Sequence, residues 1–185
     1  MSNINIWEKF KKICKIGHGT YGEVYKVKNI ETGQYYAIKQ IEKRRFEGNK
    51  DKLLNEVKKI KEIKTGNTIL INEIINNKDF LYIIMDLCEY NLEDYIKIRK
   101  NPFSIYEIRE VLNQLNNEFK IMNDKKIIHR DLKPSNILIS LDRLDECLIK
   151  LSHYGLSKFI YQSNSNSITG NLFTMAPEIL KNEKK

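Results

Sequence analysis

The segment 129–136 brings together polar side chains whose types and spacing could do chemistry on a phosphate group. Asp131 could accept a proton from a hydroxyl group, and Lys133 could neutralise phosphate charge as that charge shifts during transfer. Asn136 offers a neutral oxygen of the kind that a hard divalent cation accepts as a ligand. Pro134 restricts its own φ and the residue before it, so we expect a rigid loop. The alternative interpretation is a polar loop that leads into the next strand.

A second candidate segment is a glycine turn with the spacing G-x-G-x-x-G, formed by Gly17, Gly19 and Gly22. Glycine leaves room where backbone amides must approach phosphate oxygens, and it tolerates unusual φ values. A dinucleotide-binding fingerprint would require a helix after the glycines, whereas residues 23–27 are typical of a strand. The pattern therefore predicts a strand, a glycine turn and a second strand. By itself it also fits a plain hairpin.

Together the two segments resemble motifs of the eukaryotic protein kinases. Segment 129–136 is similar to their catalytic loop, in which an Asp base precedes a metal-binding Asn. Lys133, after the Asp, favours the Ser/Thr group of that family. The resemblance implies one α+β, protein-kinase-like domain over residues 1–185. It would contain a β-rich small lobe with one helix (1–87) and an incomplete, mainly helical large lobe (88–185).

The resemblance also implies a site for ATP. Lys39 would hold the α- and β-phosphates at the end of a strand, partly exposed, and Glu56 would pair with it from a helix over residues 49–64. Without the resemblance, Lys39 fits an ordinary strand-end lysine, Glu56 fits a local helix pair, and Met85 fits the core. The implied nucleotide contacts are Ile16, Gly17, Gly19, Gly22, Val24, Ala37, Lys39, Glu56, Met85, Asp86, Cys88 and Leu138.

Hydrophobic periodicity predicts the elements that must position these residues. Residues 69–75 and 80–87 form a predicted hairpin. The resemblance implies that residues 86–88, at its end, are the hinge whose backbone would bond the adenine. Ser104 and Glu107 have the spacing of a capping box. The helix that begins there has the clearest apolar stripe in the chain, and we expect it to support the catalytic loop. The stripe is Ile105, Ile108, Leu112, Leu115, Phe119 and Met122.

The chain departs from the kinase pattern at His153. Kinases carry Asp-Phe-Gly there, and the Asp is the principal magnesium ligand. A neutral imidazole supplies neither the oxygen nor the charge that magnesium prefers. Asn136 is then the remaining metal ligand, so we expect ATP as cofactor and only weak magnesium binding. Residues 170–178 resemble the end of the kinase activation segment, and the chain stops soon after Glu178. We therefore also expect the helices that complete a large lobe to be missing.

The composition limits the partners. A net charge of +8 over 185 residues raises the hypothesis of nucleic-acid binding, but the lysines are scattered and no recognition module is visible. Cys14, Cys88 and Cys147 lie far apart and predict reduced thiols in an intracellular, cytoplasmic protein. No segment resembles a signal peptide or a membrane span. We therefore expect neither a nucleic-acid partner nor a membrane.

Two hypotheses about function follow. The first is a pseudokinase that binds ATP and acts as a scaffold or nucleotide sensor toward a protein partner, and His153 favours it. The second is an active Ser/Thr kinase that transfers the γ-phosphoryl group to a protein hydroxyl with Asp131 as base.

Overall fold

A computed structural model of the chain describes residues 5–19, 22–46, 49–63, 65–125, 129, 131–141 and 147–152. Of Gly19 and Glu56 it describes the backbone alone. The chain divides into two compact units. The first consists of Met1–Lys64 with Ile69–Cys88, and the second of Thr65–Thr68 with Glu89–Lys185. The assignment of residues 1–87 and 88–185 to two lobes of one domain stays a prediction.

The first unit is built on a five-stranded antiparallel sheet with the strand order β1-β2-β3-β5-β4. Two helices accompany it, and the predicted hairpin is confirmed as β4 and β5. The elements are α1 (Ile6–Lys9), β1 (Phe10–Gly19), β2 (Gly22–Asn29), β3 (Tyr35–Glu42), α2 (Lys50–Lys61), β4 (Ile71–Asn76) and β5 (Phe80–Met85), with a 3-10 turn at Lys43–Phe46 before α2.

Strand alternation separates two apolar layers in this sheet. On one face, Val27, Ile38 and Ile84 are buried together with Ile6 of α1. Each such side chain contributes about 1.5–3 kcal/mol when fully buried. The helix predicted over residues 49–64 is found as α2, and three of its apolar residues are buried together with the neighbouring Ile63. These α2 residues are Leu53, Val57 and Ile60.

The second unit joins two helices to a small antiparallel sheet. The sheet consists of β6 (Tyr90–Asn91), β7 (Ile137–Leu141) and β8 (Cys147–Leu151), in that order. Asn91 caps α3 (Leu92–Ile98), accepting a hydrogen bond from the Asp94 backbone N–H. The capping box at the start of α4 (Ile105–Asp124) is confirmed in both directions, at 3.2 Å and 2.7 Å.

The apolar stripe of α4 is buried only in its second half. Leu115 and Met122 are buried, whereas Ile105, Ile108 and Leu112 are 72%, 42% and 58% exposed. Among the described residues of this unit, β8 packs against α4. In the part of the chain that the structure describes, no helix has both the length and the apolar character needed to cross a bilayer.

Side-chain amides attach β8 to the rest of its unit. Gln114 of α4 donates to the Cys147 carbonyl at 2.9 Å and accepts from the Ile149 N–H at 2.9 Å. The Asn67 side-chain amide donates to the Ile149 carbonyl at 3.0 Å, and the Asn67 backbone carbonyl accepts from the Leu151 N–H at 2.8 Å. These bonds satisfy backbone groups along one edge of β8, as buried polar groups require. The end of β8 is thereby held in a fixed position.

Candidate active site

The glycine turn joins β1 to β2 as predicted. Gly17 lies opposite Val24, and Gly19 lies opposite Gly22. Thr20 and Tyr21, between the last two glycines, lie outside the described residues. Gly22 has a φ of 145°, and a Cβ built there would lie 1.9 Å from the Gln40 carbonyl oxygen of β3. Gly22 is therefore required by the packing of the sheet, independently of any phosphate.

Two glycine substitutions should distinguish a glycine that the packing of the sheet requires from one that it does not require. Gly22→Ala should destabilise the fold by about 2–5 kcal/mol, since it adds backbone strain and an overlap with β3. Gly17→Ala should change the stability by only about 0.5 kcal/mol, because its Cβ would meet Val24 at an ordinary 3.5 Å. Urea denaturation of both variants measures the difference. Equal stabilities would contradict the close approach of β2 and β3.

Lys39 is placed differently from the prediction. It lies inside β3 and is 4% exposed, with Val24 and Ile83 as its cross-strand neighbours. The expectation of a partly exposed lysine at a strand end is wrong, because β3 continues to Glu42 and is paired on both sides. A buried ammonium group is stable only when its charge is compensated. The position is therefore suited to holding an anionic group.

The predicted adenine-contacting residues of the first unit lie along β1, β2, β3, β5 and the segment that follows β5. Ala37 and Met85 are directly opposite each other and are 6% and 9% exposed. Ile16 is 48% exposed in an irregular part of β1. The Asp86 N–H donates to the Leu70 carbonyl at 3.1 Å, so that donor is already used.

Only the backbone is described for Glu56, the partner proposed for Lys39. Glu56 lies in α2, but its side chain is outside the described part of the structure, and the Lys39–Glu56 pair stays a prediction. Cys88, the last hinge residue, is partly buried and is not part of a disulfide bond.

The residues of the predicted catalytic loop form one hydrogen-bonded cluster in the second unit. The Asn136 amide donates to the Asp131 carboxylate Oδ2 at 2.8 Å and to the Asp131 backbone carbonyl at 2.7 Å. The Lys133 ammonium lies 3.3 Å from the same Oδ2. Pro134 begins a 3-10 turn over Pro134–Asn136, which folds the loop back onto itself. Among the described residues, no hydrogen bond reaches Asp131 Oδ1, so this oxygen is available to a substrate hydroxyl.

His129 and Ser152 support this loop, and the sequence did not identify either role. His129 is 5% exposed, and its Nδ1 accepts a hydrogen bond from the Asp131 N–H at 3.3 Å. The neutral ring therefore carries its proton on Nε2, which lies 2.7 Å from the Ser152 carbonyl. The Ser152 N–H and hydroxyl both donate to the Asn136 carbonyl, at 3.1 Å and 3.0 Å. The residue just before His153 is thus attached to the catalytic loop.

The hydrogen bonds that join His129 to Ser152 and to the loop should weaken in acid. Burial lowers the pKa of His129 from its ordinary 6.5. As the pH falls through 6.5, the unfolded chain takes up a proton that the folded chain resists, so stability is complete above that pH and declines below it. We expect the melting temperature to fall between about pH 7.5 and pH 5.5, and His129→Gln to reduce that dependence. Thermal melts across this range measure it. An identical pH profile in the variant would contradict the role of His129.

The described donors fit magnesium poorly. Asn136 supplies a neutral oxygen, and the Asp131 carboxylate is already engaged by an ammonium and an amide. The described residues contain no group of three or more His, Cys, Asp or Glu side chains that could hold a metal ion. Magnesium favours several charged oxygen ligands, whereas Asp131 is the only carboxylate among the described residues of this loop. His153, with Tyr154 and Gly155, lies outside the described residues.

The predicted site residues therefore fall into two sets. Asp131, Lys133 and Asn136 lie together in the second unit. In the same unit Leu138 is half-buried on β7, on the opposite face from Ile137 and Ile139. The other predicted contacts belong to the first unit, where Val24, Ala37 and Lys39 share one face of the sheet.

Comparison with known proteins identifies the family of this chain. The protein kinase domain family matches residues 10–185. Cyclin-dependent kinase F-4 of Oryza sativa subsp. japonica is 34% identical over 151 residues, which cover 82% of this chain and 32% of that protein. Calcium-dependent protein kinase 5 of Plasmodium berghei (strain Anka) is 38% identical over 169 residues, or 90% of this chain and 30% of that protein.

The same fold occurs in a solved structure. The crystal structure of residues 1–466 of Rad53 in complex with AMP-PNP matches 96% of this chain and 44% of that one, with a TM-score of 0.78 and 26% identity. The chain thus spans less than half of each of these proteins. The predicted α+β, kinase-like fold is confirmed. The chain belongs to the protein kinase domain family and is related to its eukaryotic Ser/Thr kinases.

Proposed function

We propose that this chain is a Ser/Thr-protein-kinase-like domain that binds ATP but transfers its phosphoryl group weakly or not at all. In this proposal it acts as a nucleotide sensor or scaffold for a protein partner. The observation that carries it is the attachment of Ser152 to the catalytic loop. His153 follows directly, at the position where the kinase motif has its magnesium-binding Asp. An imidazole there removes one negative charge from the metal site.

In the proposed ATP site, Lys39 holds the phosphates and Glu56 steadies Lys39. The glycine turn covers the phosphates through its backbone amides. Val24, Ala37 and Met85 contact the adenine. The Asp86 carbonyl and the backbone of Cys88 bond its edge, since the Asp86 N–H already has a partner. The low exposure of Lys39 supports this set, because a buried ammonium favours an anionic ligand.

One observation favours the alternative of an active kinase. Asp131 keeps the geometry of a general base: its Oδ2 is held by Asn136 and Lys133, and its Oδ1 accepts no hydrogen bond from the described residues. In this alternative, Oδ1 accepts the proton of a protein hydroxyl while Lys133 stabilises the phosphate charge. Because this cluster supplies both a base and a cation, the active kinase and the pseudokinase differ only in how well the site binds magnesium.

A phosphotransfer assay tests the proposal. ATP, magnesium and a general protein substrate are incubated with wild type, His153→Asp, Asp131→Asn and the double variant. We expect wild type to match Asp131→Asn at background, and His153→Asp to gain a rate that the double variant loses. A wild-type rate that Asp131→Asn abolishes would instead establish the active kinase.

A further inference from the structure

A group of lysines lies on one face of the sheet formed by β1, β2 and β3. Lys11 is directly opposite Lys28, and Lys28 is directly opposite Tyr35, so these three side chains form one cross-strand row. Lys26 precedes Lys28 by two residues and therefore faces the same side. Tyr35 is 46% exposed, and the Lys26 and Lys28 ammonium groups lie 5.2 Å and 5.5 Å from its ring centroid. We name these four residues the basic patch.

The basic patch is not neutralised by nearby acids. In the described part of the chain, none of its lysines forms an ion pair with a carboxylate, in contrast to two neighbouring lysines. Lys9 pairs with Glu73 at 2.6 Å, and Lys15 pairs with Glu23 at 2.5 Å. Lys11, Lys26 and Lys28 thus share one face of the sheet without a carboxylate partner among the described residues, and two of them lie near the exposed ring of Tyr35.

This arrangement has a cost for the free protein. Like charges directly opposite each other destabilise an antiparallel pair, and Lys11 and Lys28 form such a pair. Folded proteins accept a local conflict of this kind mainly where function requires it. A bound anion would remove the repulsion, so the patch is suited to an anionic ligand.

We propose that the basic patch docks an extended segment of a protein partner with Asp or Glu at alternate positions. Along β2, Lys26 and Lys28 are about 6.6 Å apart, because a strand rises about 3.3 Å per residue. Alternate carboxylates of an extended peptide have the same spacing. Lys11 lies on the neighbouring strand, about 5 Å across, and reaches the same segment from its other side. The exposed ring of Tyr35 packs against the aliphatic stems of the acidic side chains.

The geometry favours a peptide over a nucleic acid. Single-stranded nucleic acids are usually bound by a longer cationic track with several aromatic stacking positions. The basic patch offers three cations and one ring on neighbouring strands. It begins beside the proposed adenine site, since the cross-strand neighbour of Lys26 is Ala37. It contains none of the residues proposed to hold ATP.

Fluorescence anisotropy with a labelled peptide of alternating Glu and Ala tests the proposal. We expect the triple variant Lys11→Gln, Lys26→Gln, Lys28→Gln to bind the peptide about tenfold more weakly than wild type. Added salt should weaken wild-type binding, because exposed charges are screened. A wild type that does not bind the peptide at low salt would overturn the proposal.

The matched control removes three exposed helical lysines, in the variant Lys52→Gln, Lys58→Gln, Lys120→Gln. It should keep the affinity within about twofold, because only the net charge changes. An equal loss in both triple variants would show a general charge effect and overturn the patch. A single-stranded oligonucleotide that binds more tightly than the peptide, with the same loss in the patch variant, would identify a nucleic-acid site instead.

Two further measurements separate this proposal from the proposed ATP site. The patch variant should melt at the wild-type temperature or above it, since it loses the repulsion between Lys11 and Lys28. Its stabilisation by ATP should equal that of wild type. Lost peptide binding with retained ATP binding supports the patch. A loss of stability in the patch variant would show that the lysines have a structural role and would overturn the docking proposal.

Discussion

ATP is expected to stabilise the wild-type chain as much in EDTA as in magnesium. A ligand at 100 times its dissociation constant adds about 2.7 kcal/mol, which raises the melting temperature of a chain of this size by about 5–10 °C. We expect that shift in both buffers. The measurement is a thermal melt of the free chain, of the chain with ATP and EDTA, and of the chain with ATP and magnesium.

The physical reason lies in the charge beside the phosphates. Asn136 is a neutral ligand, and the carboxylate of Asp131 is already paired with Lys133. With His153 in place of an Asp, bare ATP meets less repulsion, and a protonated imidazole would attract it. Magnesium then adds little to the affinity.

Two substitutions at position 153 act as matched controls. His153→Asp restores a carboxylate and should give an additional stabilisation with magnesium that wild type lacks. His153→Ala removes the imidazole without adding a charge and should give none. A wild-type response that requires magnesium would remove the main support for the pseudokinase proposal. A magnesium response in His153→Asp alone would identify position 153 as the metal position, even without phosphotransfer.

Lys39→Met is expected to abolish most of the affinity for ATP and also to destabilise the fold. Loss of a buried ammonium opposite phosphate should cost about 2 kcal/mol or more, or about 30-fold in Kd. Because Lys39 is 4% exposed, we also expect about 1–3 kcal/mol of lost stability, since the groups that compensate its charge lose their partner. Titration calorimetry measures the first effect and urea denaturation the second.

Lys78→Met provides the control for this substitution. Lys78 is exposed in the turn between β4 and β5, and its replacement should leave both quantities within about 0.5 kcal/mol of wild type. An unchanged ATP affinity in Lys39→Met would argue against the assignment of Lys39 to the phosphates. Reduced affinity with unchanged stability would show that its burial contributes little to the fold.

The sequence by itself determined the features that depend on neighbouring residues. Asp131, Lys133 and Asn136 lie within one short loop, and Pro134 turns that loop so that the three side chains meet. The capping box that begins α4 was equally predictable from the sequence, since its two hydrogen bonds connect residues three positions apart. Such contacts follow from local geometry, and spacing alone predicts them.

Only the tertiary structure decided the features that depend on distant segments. Lys39 is 4% exposed in the interior of a strand that pairs with β2 and β5 on its two edges, and no local pattern shows that a strand has two neighbours. His129 and Ser152 are connected across 23 positions. Nothing in the sequence positions of these two residues predicts that they form a hydrogen bond.

The segment Thr65–Thr68 shows the same limit. It belongs to the second unit because the fully buried Glu118 of α4 accepts hydrogen bonds from Thr65 and Thr68, at 2.5 Å and 2.6 Å. In the sequence, Glu118 is one more polar residue of an amphipathic helix. A buried carboxylate must be hydrogen-bonded, but its partners can come from any segment that packs there. Periodicity gives the face of a helix, whereas packing decides which segment covers that face.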